Sequence, residues 1–171
     1  QIESVHGTPV YRRRGSLLPI AHLNEVLKLK APANSEAVNI VVLQAEDRQF
    51  GLVVDGINDT QEIVVKPLGK QLKGLTTYAG ATIMGDGRVA LILEVVGIGQ
   101  RSGALTSSGE QSRSDAALKG GPGNEVQRLL LFSAGSFTRL AVPLSVVARL
   151  EEFPQSTMEM AGGRRVVQYR E

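Results

Sequence analysis

Residues 11–15 read Tyr-Arg-Arg-Arg-Gly, and three adjacent guanidinium groups could clamp a nucleic acid or a phosphate. The chain has two histidines, His6 and His22, and no cysteine. Neither histidine has a serine partner at a spacing that would make a nucleophile–base pair. Gly120-Gly121-Pro122-Gly123-Asn124 could suggest a phosphate loop, but it lacks the closing Gly-Lys-Ser/Thr and is not set between a strand and a helix. Asp55-Gly56-Ile57-Asn58-Asp59 carries calcium-like oxygens without the spaced loop and closing glutamate of a calcium site, so a plain loop is expected there. Gly85-Asp86-Gly87 lies between two β-branched runs and reads as a hairpin turn. No set of acid, base and nucleophile converges in the sequence, and a non-catalytic chain is the expectation.

Short aliphatic strands must position these residues. Residues 38–45 (VNIVVLQA) and 49–54 (QFGLVV) flank a polar tip, and 62–66 (EIVVK) form a further strand that Pro67 closes. Residues 79–84 (AGATIM) and 88–95 (RVALILEV) make the hairpin around Gly85-Asp86-Gly87. A helix is expected over 21–29 (AHLNEVLKL), with a short apolar stripe at Leu23, Val26 and Leu27. Residues 99–125 lose all period and turn to glycine, serine and scattered charges, the composition of a flexible linker. Beyond it, 126–134 (VQRLLLFSA), 138–144 (TRLAVPL) and 147–153 (VARLEEF) resume the strand texture, with a turn at Gly135-Ser136. On a strand side chains alternate faces, so Arg12 and Arg14 share one face and Arg13 takes the other, and no flat three-arginine patch forms. The fold class is mainly β, with many short strands and one or two helical turns, a pattern of closed barrels or a sandwich.

Composition narrows the class of function. Of 171 residues, 42% are hydrophobic but only 4% aromatic with no tryptophan, so the core is aliphatic. A net charge of +2 is too small for the dense basic surface of a nucleic-acid binder. The longest apolar runs, 39–43 and 89–98, fall far short of the ~20 residues that span a bilayer, so no membrane insertion is expected. The absence of cysteine suits a reducing compartment, and a soluble cytoplasmic piece of a larger protein is expected.

The two ends of the chain repeat. Residues 3–15 (ESVHGTPVYRRRG) lie over 159–171 (EMAGGRRVVQYRE) without a gap, and Glu3, Gly7, Val10 and Arg14 match Glu159, Gly163, Val166 and Arg170. Two consecutive modules of a tandem array, entered and left at equivalent points, account for this. Residues 10–29 (VYRRRGSLLPIAHLNEVLKL) resemble the R-G-x-L-L-P-x-x-x-L-x-E-x-L segment of CheW-like domains. Residues 50–69 (FGLVVDGINDTQEIVVKPLG) and 79–97 (AGATIMGDGRVALILEVVG) resemble the regulatory domain of the chemotaxis kinase CheA, with Glu94 where that family commonly has Asp. Residues 129–154 (LLLFSAGSFTRLAVPLSVVARLEEFP) are similar to the opening of another such domain.

The resemblance implies SH3-like β-barrel subdomains of the CheW-like fold. It divides the chain into the later part of a first CheW-like domain (1–98), the linker (99–125) and the earlier part of a second (126–171). The two halves together amount to about one module, and they are expected to be able to complement each other as a permuted module. The resemblance further implies a docking and regulatory region of a chemotaxis two-component histidine kinase, with no cofactor in this stretch; the alternative is a stand-alone tandem adaptor. The phosphorylated histidine and the ATP site of that family lie in other domains. The implied partners are a CheW-like adaptor, the cytoplasmic tip of a chemoreceptor and the other domains of the parent kinase, close to membrane-bound receptor arrays. Arg14, matching the arginine before glycine, is the polar candidate for partner contact, and Leu17, Leu18 and Ile20 are the apolar ones, each also suited to the module's own core.

Overall fold

The computed structural model describes residues 2–5, 8–11, 16–30, 37–45, 47–67, 74, 76–105 and 126–169. Among the described residues, strands β1 (Ile2–Val5) and β2 (Thr8–Tyr11) pair only with each other, as a small antiparallel hairpin. All other described strands belong to two six-stranded sheets.

One sheet is built from β3 (Ser16–His22), β4 (Ala37–Ala45), β5 (Arg48–Val54), β12 (Val147–Pro154), β13 (Met158–Ala161) and β14 (Arg164–Tyr169), in the order β12-β4-β5-β3-β14-β13. The other holds β6 (Gly56–Val64), β7 (Lys66–Pro67), β8 (Tyr78–Ile83), β9 (Val89–Leu93), β10 (Val126–Ala134) and β11 (Phe137–Pro143), in the order β6-β10-β11-β9-β8-β7. Each sheet therefore draws strands from both sides of residues 106–125. In each, the two outermost strands are consecutive in the chain. Val65 alone separates β6 from β7, and a 3-10 turn at Gln155–Thr157 joins β12 to β13, so the backbone itself bridges the gap between the sheet's ends.

Alternation along the strands builds three apolar clusters. In β4, Ile40 and Val42 point into a cluster with Leu18, Ile20 and Val167, while Val41 and Leu43 point the other way. In β10, Leu129 and Leu131 join Met84, Ala90, Ile92 and Ala141, while Leu130 and Phe132 point to the opposite side. The residues on those opposite sides meet in one large cluster that includes Phe50, Leu52, Leu93, Phe132, Leu140 and Val142. Strands β4 and β10 are thus buried on both faces, which is why their sequences (NIVVL, LLLF) are nearly unbroken apolar runs rather than alternating ones.

Two short helices seal the large cluster. Helix α1 is a single turn, Leu23–Val26, with Leu23 fully buried. The expected helix over 21–29 is shorter because β3 continues through His22, and Lys28, with φ of 55°, turns the chain into the left-handed region. Helix α2 (Val95–Arg101) was not expected. Its first residue reads as the end of a strand and its last three as the start of the linker, because the buried Val95, Gly97, Ile98 and Gly99 carry no polar face to give a helical period. The Glu94 carboxylate caps it, accepting from the backbone N–H of Val96 at 3.3 Å and of Gly97 at 2.5 Å. Gly97 is required: a Cβ there would lie 2.2 Å from the Thr76 carbonyl oxygen. Residues 56–59, expected in a loop, form the start of β6. Gly120–Asn124 and most of 99–125 lie outside the described residues.

The large cluster mixes residues from both sides of 106–125, so the two segments should unfold together. Phe132→Ala is expected to cost about 3–5 kcal/mol in urea denaturation, and to speed hydrogen exchange in β4 and β5 as well as in β10 and β11. Loss of protection confined to β10 and β11 would show two separate cores.

Candidate functional site

Strand β3 carries most of the residues singled out from the sequence, and its alternation sorts them. Leu18 and Ile20 are 3% and 5% exposed and pack with Ile40, Val42 and Val167. They sit beneath the sheet as core, not on its surface, because Ile40 and Val42 of β4 and Val167 of β14 pack against that face. Leu17 points the other way and is 42% exposed. Arg14 and its neighbours 12–15 lie outside the described residues, as does His6.

Other large aliphatic side chains reach solvent. Ile83 and Val89 are directly opposite each other across β8 and β9, and each is 58% exposed. They form an apolar pair at the base of the Gly85-Asp86-Gly87 turn, where Gly87 takes φ of 80°. The Asp86 carboxylate accepts from the Arg88 backbone N–H at 3.1 Å and pairs with Arg139 of β11 at 2.7 Å. The Arg88 amide, and then Arg139, hold that carboxyl below its ordinary value. The turn is thereby tied to a strand from the far side of 106–125.

A second tie runs through Asp55, between β5 and β6. Its carboxylate accepts from Asn24 Nδ2 at 2.8 Å and from the Gly135 backbone N–H at 2.5 Å, while its carbonyl accepts from Asn39 Nδ2 at 3.2 Å. The Asp55 oxygens are therefore spent joining α1, β4 and the β10–β11 turn. Sequence reading missed this role because the donors lie 31 and 80 residues away.

Between β3, the two helices and the β13–β14 turn lies a cleft of about 360 Å³. His22, Glu25, Arg101, Arg164 and Arg165 line it, so cations outnumber anions. Arg165 pairs with Glu25 at 2.5 Å, and Arg101 donates to Thr77 Oγ1 at 3.1 Å. His22 Nε2 is buried with no hydrogen-bond partner. Burial pushes the imidazole below its ordinary pKa, Arg165 acts in the same direction, and Glu25 opposes both. His22 shares the cleft with Ser102, and the surrounding guanidinium groups give the cleft a positive lining. Among the described residues no group of three or more His, Cys, Asp or Glu side chains comes together as a metal site, and no helix is long and apolar enough to cross a membrane.

A family model described as CheW-like domain matches residues 1–102. The chain is 35% identical over 96 residues to the sensor histidine kinase CheAY of Helicobacter pylori, covering 56% of this chain and 12% of that protein. It is 36% identical over 94 residues to chemotaxis protein CheA of Bacillus subtilis (54% and 14%), and 38% identical over 105 residues to chemotaxis protein CheA of Cereibacter sphaeroides (58% and 15%). The matched stretch is thus a small part of each of these curated relatives. The family match ends at residue 102, whereas both large sheets also contain β10–β14 strands.

Two outcomes follow from the ties and the cleft. Asp55→Ala leaves the Asn24 amide and the Gly135 N–H without their acceptor and should lower stability by about 1.5–3 kcal/mol, read by thermal or urea unfolding. His22 has a lowered folded pKa, so its contribution is complete above the unfolded value of about 6.5 and is lost as pH falls through the lower folded value. His22→Gln should flatten the decline in stability between about pH 7.5 and 5.5; an unchanged slope would place the titration elsewhere.

Proposed function

Because the chain belongs to the CheW-like domain family, we propose that it is a docking and regulatory region of a chemotaxis histidine kinase, contacting a CheW-type adaptor and the cytoplasmic tip of a chemoreceptor. Work of this kind needs no reacting group. It needs a stiff body with a few apolar side chains left in solvent inside a polar rim. The observation that carries the reading is the Ile83–Val89 pair, two aliphatic side chains exposed side by side on a sheet whose inward faces are otherwise filled. Leu17 of β3 is a second apolar contact, and Arg14 supplies a directional polar one.

Regulation would then be positional. Two sheets that share one core move as a body, and a partner that favours one placement of that body shifts the equilibrium of whatever catalytic domain is attached. The ties at Asp55 and Asp86 support this, since each joins a turn to a strand from the other segment and resists bending between them. The CheA proteins of Bacillus subtilis and Cereibacter sphaeroides are named for chemotaxis, and the matched stretch includes β3 to β9, which present Leu17, Ile83 and Val89.

Binding of this chain to a CheW-type adaptor and to a receptor cytoplasmic fragment, followed by calorimetry, tests the proposal. Ile83→Glu with Val89→Glu should weaken one of the two associations at least about tenfold, and Leu17→Glu should do so more modestly. Both substitutions lie on exposed positions, so unfolding profiles should stay unchanged. Absence of association up to tens of micromolar with either partner would overturn the reading.

A further inference from the structure

The β1–β2 and β13–β14 hairpins are the same object twice. Ile2–Val5 and Thr8–Tyr11 correspond, 156 positions on, to Met158–Ala161 and the first four residues of Arg164–Tyr169. Their internal registers coincide as well: Ile2↔Tyr11, Glu3↔Val10, Ser4↔Pro9 and Val5↔Thr8 against Met158↔Val167, Glu159↔Val166, Met160↔Arg165 and Ala161↔Arg164. One of the two is docked. β14 lies along β3 with Val166↔Pro19, Val167↔Leu18, Gln168↔Leu17 and Tyr169↔Ser16. Among the described residues, the other pairs with nothing beyond itself.

Transferring the β14–β3 register to β2 sets Val10 opposite Pro19 and Tyr11 opposite Leu18. The hairpin upstream of β3 thus has the register to occupy the edge that β14 holds.

We propose that the outer edge of β3 is a single docking slot for which β1–β2 and β13–β14 compete, so that β1–β2 can displace β13–β14 within the same chain. The exchange changes the cleft as well as the pairing. Arg164 and Arg165 stand where the first hairpin has Thr8 and Pro9, so exchange removes two guanidinium groups from the wall and releases Glu25 from its ion pair. The slot therefore sets the charge of the cleft wall around His22 and Glu25. This holds whether or not the chain docks to chemotaxis partners.

The chain has no cysteine, so engineered pairs report the two states directly. In the full chain under a glutathione redox buffer, Val166→Cys with Pro19→Cys traps the observed pairing, and Val10→Cys with Pro19→Cys traps the exchanged one. Both should close as intramolecular disulfides, whereas the off-register pair Pro9→Cys with Pro19→Cys should close at least about tenfold less. Adding Glu25→Gln, which removes the ion pair open only to β14, should raise the yield of the Val10–Pro19 closure by up to about fivefold. A Val10–Pro19 pair that stays reduced where Val166–Pro19 closes, that closes no better than the off-register control, or that closes only between two copies overturns the proposal. Val167→Pro gives an independent readout. Hydrogen exchange in Thr8–Tyr11 should slow about tenfold while β3 stays protected; loss at β3 with no gain at β2 overturns the proposal. Should that variant unfold, the cysteine pairs decide alone.

Discussion

The antiparallel ladder between β6 and β10 is the contact on which the rest of the molecule depends. It runs from Val126↔Val64 to Ser133↔Gly56, the full useful length of both strands, and it joins residues more than sixty positions apart. Through it β10 brings Leu129 and Leu131 to one cluster and Leu130 and Phe132 to another, so one strand contributes to two cores at once. A strand buried on both faces must have all its backbone groups paired, since water cannot reach them. β10 meets that demand with β6 on one side and β11 on the other. The same logic holds for β4 between β12 and β5.

Much of this was legible in the sequence. The hairpin of β4 and β5, the hairpin of β8 and β9 around a glycine turn, and the strands after residue 125 follow from β-branched runs closed by turn residues. The mainly β class and the CheW-like family were legible as well. Helix α2 was not, because buried Val, Gly and Ile leave no amphipathic period, and only the Glu94 cap marks its start. Neither was the extent of β6, whose polar Asn58, Asp59, Thr60 and Gln61 are exposed and look like loop when read alone. What makes them a strand is the backbone of β10, a partner supplied by tertiary structure rather than by local propensity.

The candidate surface divided along the same line. Alternation on β3 places Leu17 on one side and Leu18 with Ile20 on the other, but periodicity does not say which side meets water. The docked β14 decides it, and β14 lies about 150 positions downstream. Ile83 and Val89 drew no notice as a pair because strand ends rich in aliphatics ordinarily belong to a core. The tie made by Asp55 was hidden for a related reason: an aspartate followed by glycine has many local uses, and the distant amides that claim it here leave no trace in its neighbourhood.

The described ladders of the two large sheets join residues 16–93 to residues 126–169 non-covalently, over and above the covalent link between Leu105 and Val126. Their integrity therefore does not rest on covalent continuity there. A chain nicked by a protease anywhere in that interval would keep every described ladder and tie, and its two pieces would leave a sizing column together. They would part only on dilution, as the partners of a non-covalent complex do.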